Sequence, residues 1–240
     1  MHAQFIIEIM TIEEAIKQRH SVRKYIHKPL STEVVRALEE KIGECNKEGG
    51  LHIQLVTQET KAFSGIMSYG KFHGVENYLV MAGKKADDLD ERIGYYGELL
   101  VLLAQTLGLN TCWVGLSYRK VKEAYHIEDG EKLACMIALG YGETQGVSHK
   151  IKTIEQVSNA TADSPSWFRK GVAAALLAPT AINQQKFSFL FQAQKSPGVG
   201  GKAKVLAKKG FSMVGYTQMD LGIAKLHFEI GAGTENFEWE

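Results

Sequence analysis

Arg19, Ser21 and Arg23 stand at alternate positions in the string RHSVRKY (residues 19–25). Two guanidiniums and a hydroxyl within five residues make a cradle for a phosphate. Each Arg offers a planar fork of charge-assisted donors, and the Ser adds a short neutral one. The same composition also describes a solvated basic turn, so the rest of the chain has to decide. TCWVG (111–115) ends on a small residue that lets a ligand approach the backbone closely. APTAINQQ (178–185) holds amide side chains that need hydrogen-bond partners wherever they are buried. Other chemistry finds less support. No G-x-G-x-x-G opens a helix after a strand, so a Rossmann nicotinamide site is not indicated. SPGVGGKAK (196–204) lacks the first Gly of a Walker A loop and the Ser/Thr after Lys202, and reads as a flexible turn. No metal spacing appears among the eight histidines and three cysteines, and there is no G-x-S-x-G elbow.

These residues need elements to position them. Thr11, with Glu14 three residues on, predicts the capping box of a helix carrying Ile12, Ala15 and Ile16. That helix should end near His20 and present the Arg/Ser cluster in the loop beyond. Pro29 and Ser31 open a second helix with Val34, Val35, Leu38 and Ile42 on its buried side. LHIQLVT (51–57) alternates as a strand, and NYLVMAG (77–83) reads as a more fully buried one. A long helix is expected from Ala86 to Leu107, stopped by Gly108. TCWVGL should be a short strand or turn, Tyr118–Tyr125 another helix, and KLACMIALGYG (132–142) a central strand buried on both faces.

Bulk properties exclude several classes. A chain of 240 residues with 45% hydrophobic and 23% charged residues can bury a real core in one domain or two. A formal net charge of +1 supplies no field for nucleic acid. No apolar run is long enough for a membrane span. Three widely spaced cysteines (Cys45, Cys112, Cys135) fit reduced thiols in a cytoplasmic protein, and Cys112 reads as core. MHAQFIIEIM at the start lacks a basic n-region and a cleavage site, and is expected to form an extra strand or arm.

The chain also repeats itself. At an offset of 136 residues, SPSWFRKGVAAALLA lies over KPLSTEVVRALEEKI and KFSFLFQA over GLHIQLVT without a gap. GIAKLHFEIGAG (222–233) likewise resembles GELLVLLAQTLG (97–108) at a slightly smaller offset. At 136, Arg19, Ser21 and Arg23 fall on Glu155, Val157 and Asn159, while Pro179, Thr180 and Asn183 fall back on Gly43, Glu44 and Lys47. Each half keeps what the other lacks.

RHSVR, TCWVG, GYG (140–142) and APTAINQQ occur in one chain, and together they resemble the motifs of the FMN-dependent nitroreductase/flavin reductase family. In that family two identical subunits form a dimer with each flavin at the interface, the R-x-S-x-R side from one subunit and the P-S-x-x-N loop from its partner. The chain resembles both subunits fused, with one of two sites retained, and differs from the common gene order in how late the P-T-A-x-N loop comes. The resemblance implies an α+β, nitroreductase-like fold. Two related halves (1–152 and 153–240) would pack as a pseudo-dimer around helices Ala86–Leu107 and Met219–Ile230, with central sheets flanked by helices. A dimer of two whole chains is the alternative, and further association of two chains stays open.

By the same resemblance, FMN phosphate and ribityl oxygens would meet Arg19, His20, Ser21 and Arg23, with Lys150 and Lys152 of SHKIKT as further partners. Those two lysines read equally as an exposed basic linker. Trp113, Val114 and Gly115 would pass beside the ring. Pro179, Thr180 and Ala181 would shape its wall, and Asn183 and Gln185 would reach its carbonyl edge. No acid–base residue is obligatory, because the flavin carries the redox chemistry, and no catalytic residue is assigned. NAD(P)H is the implied co-substrate, and a nitroaromatic, quinone or flavin-type small molecule the acceptor, in ping-pong turnover. The competing function is a flavin- or small-molecule-binding protein of the same fold without turnover.

Overall fold

The structure, a computed structural model, describes residues 10–64, 70–192 and 202–240. The arm expected at residues 1–9 and most of the turn expected at 196–204 lie outside them. Helix α1 (Ile12–Gln18) opens on the expected capping box. The Thr11 hydroxyl accepts from the Glu14 amide at 3.2 Å, and the Glu14 carboxylate accepts from the Thr11 amide at 2.8 Å. Helix α2 (Thr32–Gly49) starts at Ser31, whose hydroxyl accepts from Val34 N, and ends where Gly50 turns left-handed at φ 58°. Strands β1 (Gln54–Val56) and β2 (Asn77–Lys84), helix α3 (Leu89–Thr106), and strands β3 (Asn110–Val114) and β4 (Glu131–Gly140) complete the first half.

These four strands form an antiparallel sheet in the order β1-β2-β4-β3. Alternation sends successive residues of the two inner strands into different cores. Leu79, Met81, Ile137 and Leu139 pack with Leu38, Ile42, Ile93 and Leu100 of α2 and α3. Tyr78, Val80, Met136 and Ala138 pack on the other face with Val22, Tyr25 and Phe63. The helix expected over Tyr118–Tyr125 does not form. That stretch is a loop with a single turn at Val121–Ala124, and Arg119 N donates to Ala62 O instead of to its own segment. Its helix-like apolar spacing arises because Tyr118, Val121, Ala124 and Tyr125 cover the second core.

The second half contains α4 (Ile154–Val157), α5 (Ser166–Ala175), a 3-10 turn (Ala181–Asn183), β5 (Phe187–Gln192), β6 (Ala203–Lys209), α6 (Thr217–Ala232) and β7 (Phe237–Trp239). Its sheet runs β5-β6-β7, with β5 antiparallel and β7 parallel to β6. The order helix, helix, strand, strand, helix, strand repeats that of the first half as far as β3. Because β2 and β3 each run antiparallel to β4, they are parallel to one another, as β6 and β7 are. Among the described residues the second half has no counterpart of β4, and β7 pairs directly with β6. A separate aromatic core of Phe168, Phe187, Phe189, Phe228 and Phe237 holds this half together.

Helices α3 and α6 pack at the centre, and glycine sets their distance. A Cβ on Gly94 would overlap the Met219 carbonyl and crowd Ile223 N, and one on Gly222 would overlap the Glu91 carbonyl and crowd Tyr95 N. The contacts are reciprocal: 94, 91 and 95 correspond to 222, 219 and 223 at one constant offset of 128. That is the pattern of a self-complementary two-fold contact, in which residue i meets j and j meets i.

Candidate functional site

Three sequence motifs, at residues 19–25, 111–115 and 140–142, become adjacent segments. Beyond α1, which Arg19 caps in extended conformation, the chain runs beside β3: Ser21 bridges Thr111, and Val22 N donates to Thr111 O at 3.0 Å. Further on, Ile26 N donates to Tyr141 O at 2.9 Å, and Tyr25 bridges Gly142. Gly142 must be small, because a Cβ there would meet the Asn110 side-chain oxygen and Val22. Pairing makes successive side chains alternate, so Val22 is buried while Ser21 and Arg23 face outward into a cavity of about 500 Å³. That volume is within the range of small-molecule sites, roughly 300–1,000 Å³.

The cavity lies between the halves. Trp113, Val114 and Gly115 at the end of β3 line it together with Ser21 and Arg23; Pro179, Thr180 and Ala181 come from the second half, with Met219, Asp220 and Ile223 of α6. Eight of the residues expected to bind cofactor therefore share one cavity. The other six do not line it. Lys150, Lys152, Asn183 and Gln185 bind one another. Lys152 Nζ donates to Gln185 O at 2.6 Å, Lys152 N donates to Gln185 Oε1 at 2.9 Å, and the Asn183 and Gln185 amides both donate to Lys150 O. The basic linker is thus the brace that holds the 180s loop.

Arg19 is buried away from the cavity, and the half-buried His20 does not line it. Arg19 is 3% exposed, and its Nε stands 3.7 Å from Glu98 Oε1 without a hydrogen bond. Burial lowers its pKa, and Glu98 opposes that shift. Glu98 is fully buried and also accepts from Trp113 Nε1 at 2.9 Å, while His227 Nε2 lies 2.9 Å from its other oxygen. One carboxylate in α3 thereby fixes the indole that lines the cavity. His20 and His149 are both pushed toward their neutral forms by burial first; the Arg19 charge adds to it, and at His149 the bond to the Leu176 carbonyl opposes it. Burial likewise raises the Cys112 thiol, which keeps it an uncharged core residue.

One acidic residue of the cavity belongs to no sequence motif. Asp220, in the first turn of α6, is buried, and its carboxylate accepts from Ala181 N at 3.0 Å and Gln184 Nε2 at 2.6 Å. Only its position beside a left-handed Tyr216 and opposite the 180s loop brings it there. The loop it grips is strained: Ile182, Asn183 and Gln185 have φ of 46°, 57° and 45°. Ile182 is 77% exposed and Leu116 71% exposed, and both line the mouth with Val214. An apolar rim around a partly polar interior suits a planar organic ligand.

The donor set fits FMN. Ser21 and Arg23 supply a hydroxyl and a guanidinium for phosphate or ribityl oxygens, and Trp113, Val114 and Ile223 supply apolar surface for a ring system. The family model described as "Putative TM nitroreductase" matches residues 11–232. A crystal structure titled a putative nitroreductase from Thermotoga maritima is 23% identical, with a TM-score of 0.60 over 96% of this chain and 88% of that one. One from Desulfovibrio desulfuricans, titled a putative nitroreductase in complex with FMN, is 15% identical, with a TM-score of 0.50 over 65% of this chain and 98% of that one. At these identities the two structures show the fold. No curated protein matches the chain. No described helix is long and apolar enough to cross a membrane.

Proposed function

The chain belongs to the putative TM nitroreductase family, and from that premise we propose that it is an FMN-dependent oxidoreductase that uses NAD(P)H to reduce a small organic acceptor. The observation that carries this reading is the convergence of Ser21 and Arg23 with Pro179, Thr180 and Ala181 on one cavity between the halves. Bound FMN would take up hydride from a nicotinamide and pass it to the acceptor. Arg23 and Ser21 would hold the polar end of the cofactor. Trp113, kept in place by Glu98, and Val114 would wall the ring and exclude water from it. The brace from Lys150–Lys152 to Asn183–Gln185 would hold the opposite wall at a fixed distance. A single cavity then serves nicotinamide and acceptor in turn.

We read the chain as two nitroreductase-like halves fused into a pseudo-dimer. The repeated element order and the reciprocal glycine contacts of α3 and α6 support this. It implies one flavin per chain, because Ser21 and Arg23, the two cradle residues that line the cavity, have no counterparts of their kind in the second half.

Arg23→Ala is expected to weaken FMN binding about ten- to a hundredfold, the effect of losing one charge-assisted bond of about 1.5–3 kcal/mol. Riboflavin, which lacks the phosphate, should lose less. Fluorescence titration of the FMN-free protein with both ligands checks it, and unchanged FMN affinity or two flavins per chain would refute the assignment. Anaerobic mixing with NADH and NADPH separates a reductase from a binding protein: a flavin-loaded chain that neither nucleotide bleaches has no turnover.

A further inference from the structure

Asp220 is a buried acidic residue that lines the cavity, and a compensating cation is missing among the described residues. Among the described residues none lies within ion-pair distance of its carboxylate. The charged groups that share the cavity, Arg23 and Lys71, come from the first half, and the Lys71 ammonium bonds Ser117 Oγ at 3.3 Å. From α3, packed on α6, Glu91 faces Lys225 and Gln218, and Glu98 faces His227 and Arg19. The partners of Asp220 are neutral donors, Ala181 N and Gln184 Nε2. Two carboxylate oxygens offer about four lone-pair sites, and these bonds occupy two. A protonated carboxyl can therefore keep both and still present an O–H, a combination that an amide cannot match.

Resting on the reductase reading above, we propose that Asp220 is the proton donor of the reaction, handing its carboxyl proton to the acceptor oxygen as the acceptor is reduced. In the FMN-loaded protein the acceptor would receive a hydride, one proton with two electrons supplied by NAD(P)H, in a new bond to one atom of its nitro or quinone group. The second proton leaves Asp220: its O–H bond breaks, an N=O or C=O π bond of the acceptor breaks, and a new O–H bond forms on the acceptor. The carboxylate left behind takes a proton from water. Burial supports this chemistry by pushing the carboxyl up to about 6 against the pull of its two hydrogen bonds. Roughly a tenth of the molecules then carry the proton at pH 7, close to the matched condition for a general acid.

The test separates the half-reactions in the FMN-loaded protein by stopped flow. Asp220→Asn should slow re-oxidation by a quinone or nitroaromatic about a hundredfold or more, far more than it slows bleaching by NAD(P)H. Wild-type re-oxidation should fall as pH rises through about 6, because the acid form is the active one, and that limb should vanish in the variant. Gln184→Ala breaks one of the carboxylate's hydrogen bonds and keeps the acid. There the limb should persist with its midpoint moved upward, since the lost bond favoured the charged form. Infrared titration of the FMN-free protein gives a readout independent of turnover: a protonated-carboxyl band with the same midpoint, missing from Asp220→Asn.

An Asp220→Asn protein that keeps the wild-type re-oxidation rate and pH limb would overturn the assignment. So would one in which both half-reactions and FMN affinity fall by the same factor, which would make Asp220 only the clamp of the 180s loop. A wild-type protein that holds FMN and is never bleached would instead overturn the reductase reading, and this step with it.

Discussion

Gly222→Ala is expected to be among the most damaging single-methyl substitutions in this protein. The added Cβ would overlap the Glu91 carbonyl and crowd Tyr95 N, both backbone atoms of α3, so no side chain can rotate aside to make room. The helices must separate. That opens the packing of Met219 and Ile223 against the first half and widens the cavity they line. Overpacking a core costs about 1–3 kcal/mol, occasionally more, and a backbone-to-backbone clash belongs at the upper end. For a chain of this length 1 kcal/mol moves the midpoint by roughly 2–4 °C, so a loss of roughly 10 °C is expected by circular dichroism. Gly94→Ala should behave alike, because its Cβ meets Met219 O in the reciprocal contact. An exposed comparison, Gly43→Ala in α2, meets nothing within 4 Å and should be neutral or stabilising. Equal melting temperatures for Gly222→Ala and Gly43→Ala would refute the tight crossing.

Glu98→Ala should be comparably severe for a different reason. It strips the buried Arg19 guanidinium of its counter-charge and leaves Trp113 Nε1 and His227 Nε2 without an acceptor. Removing one member of a buried ion pair typically costs 3–5 kcal/mol, again roughly 10 °C or more at this size. Arg19→Met combined with Glu98→Gln removes both charges and keeps an acceptor for the indole. The double variant should recover a good part of the stability that Glu98→Ala loses. Flavin affinity separates the two roles open to Arg19. If it is the counter-ion of Glu98, Arg19→Met weakens FMN and riboflavin by similar factors; if it binds phosphate, only FMN suffers. An undiminished melting temperature for Glu98→Ala would show that the network carries no energy.

Much of the first half was legible because its signals are local. The capping box at Thr11 and Glu14 and the stop at Gly108, left-handed at φ 78°, depend on residues within a few positions of each other. The burial of β2 on both faces follows from an unbroken apolar run. Where a local pattern misled, a distant contact had replaced it. Tyr118–Tyr125 has helical spacing, yet those side chains cover the sheet from a loop, and the Arg119 amide is taken by Ala62. Strand β6 lies just after a Gly-rich stretch and has mixed polarity, and its pairing with β5 and β7 is what makes it a strand.

The sequence by itself determined which residue types stand at which spacing: the R-x-S-x-R string, the two motif loops and the absence of counterparts between residues 1–152 and 153–240 are properties of the chain alone. Only the tertiary structure decided where they point. Pairing of residues 21–26 with β3 and with the GYG turn put Ser21 and Arg23 on the cavity side, while Arg19 turned to Glu98, 79 positions away. Asn183 and Gln185 were drawn to Lys150 and Lys152, and Asp220, in no motif, arrived through the packing of α6 on α3. The physical reason is that a side chain's type is a local property, whereas its partner is whichever complementary group the fold buries beside it, and burial makes leaving that group unpaired too costly to ignore.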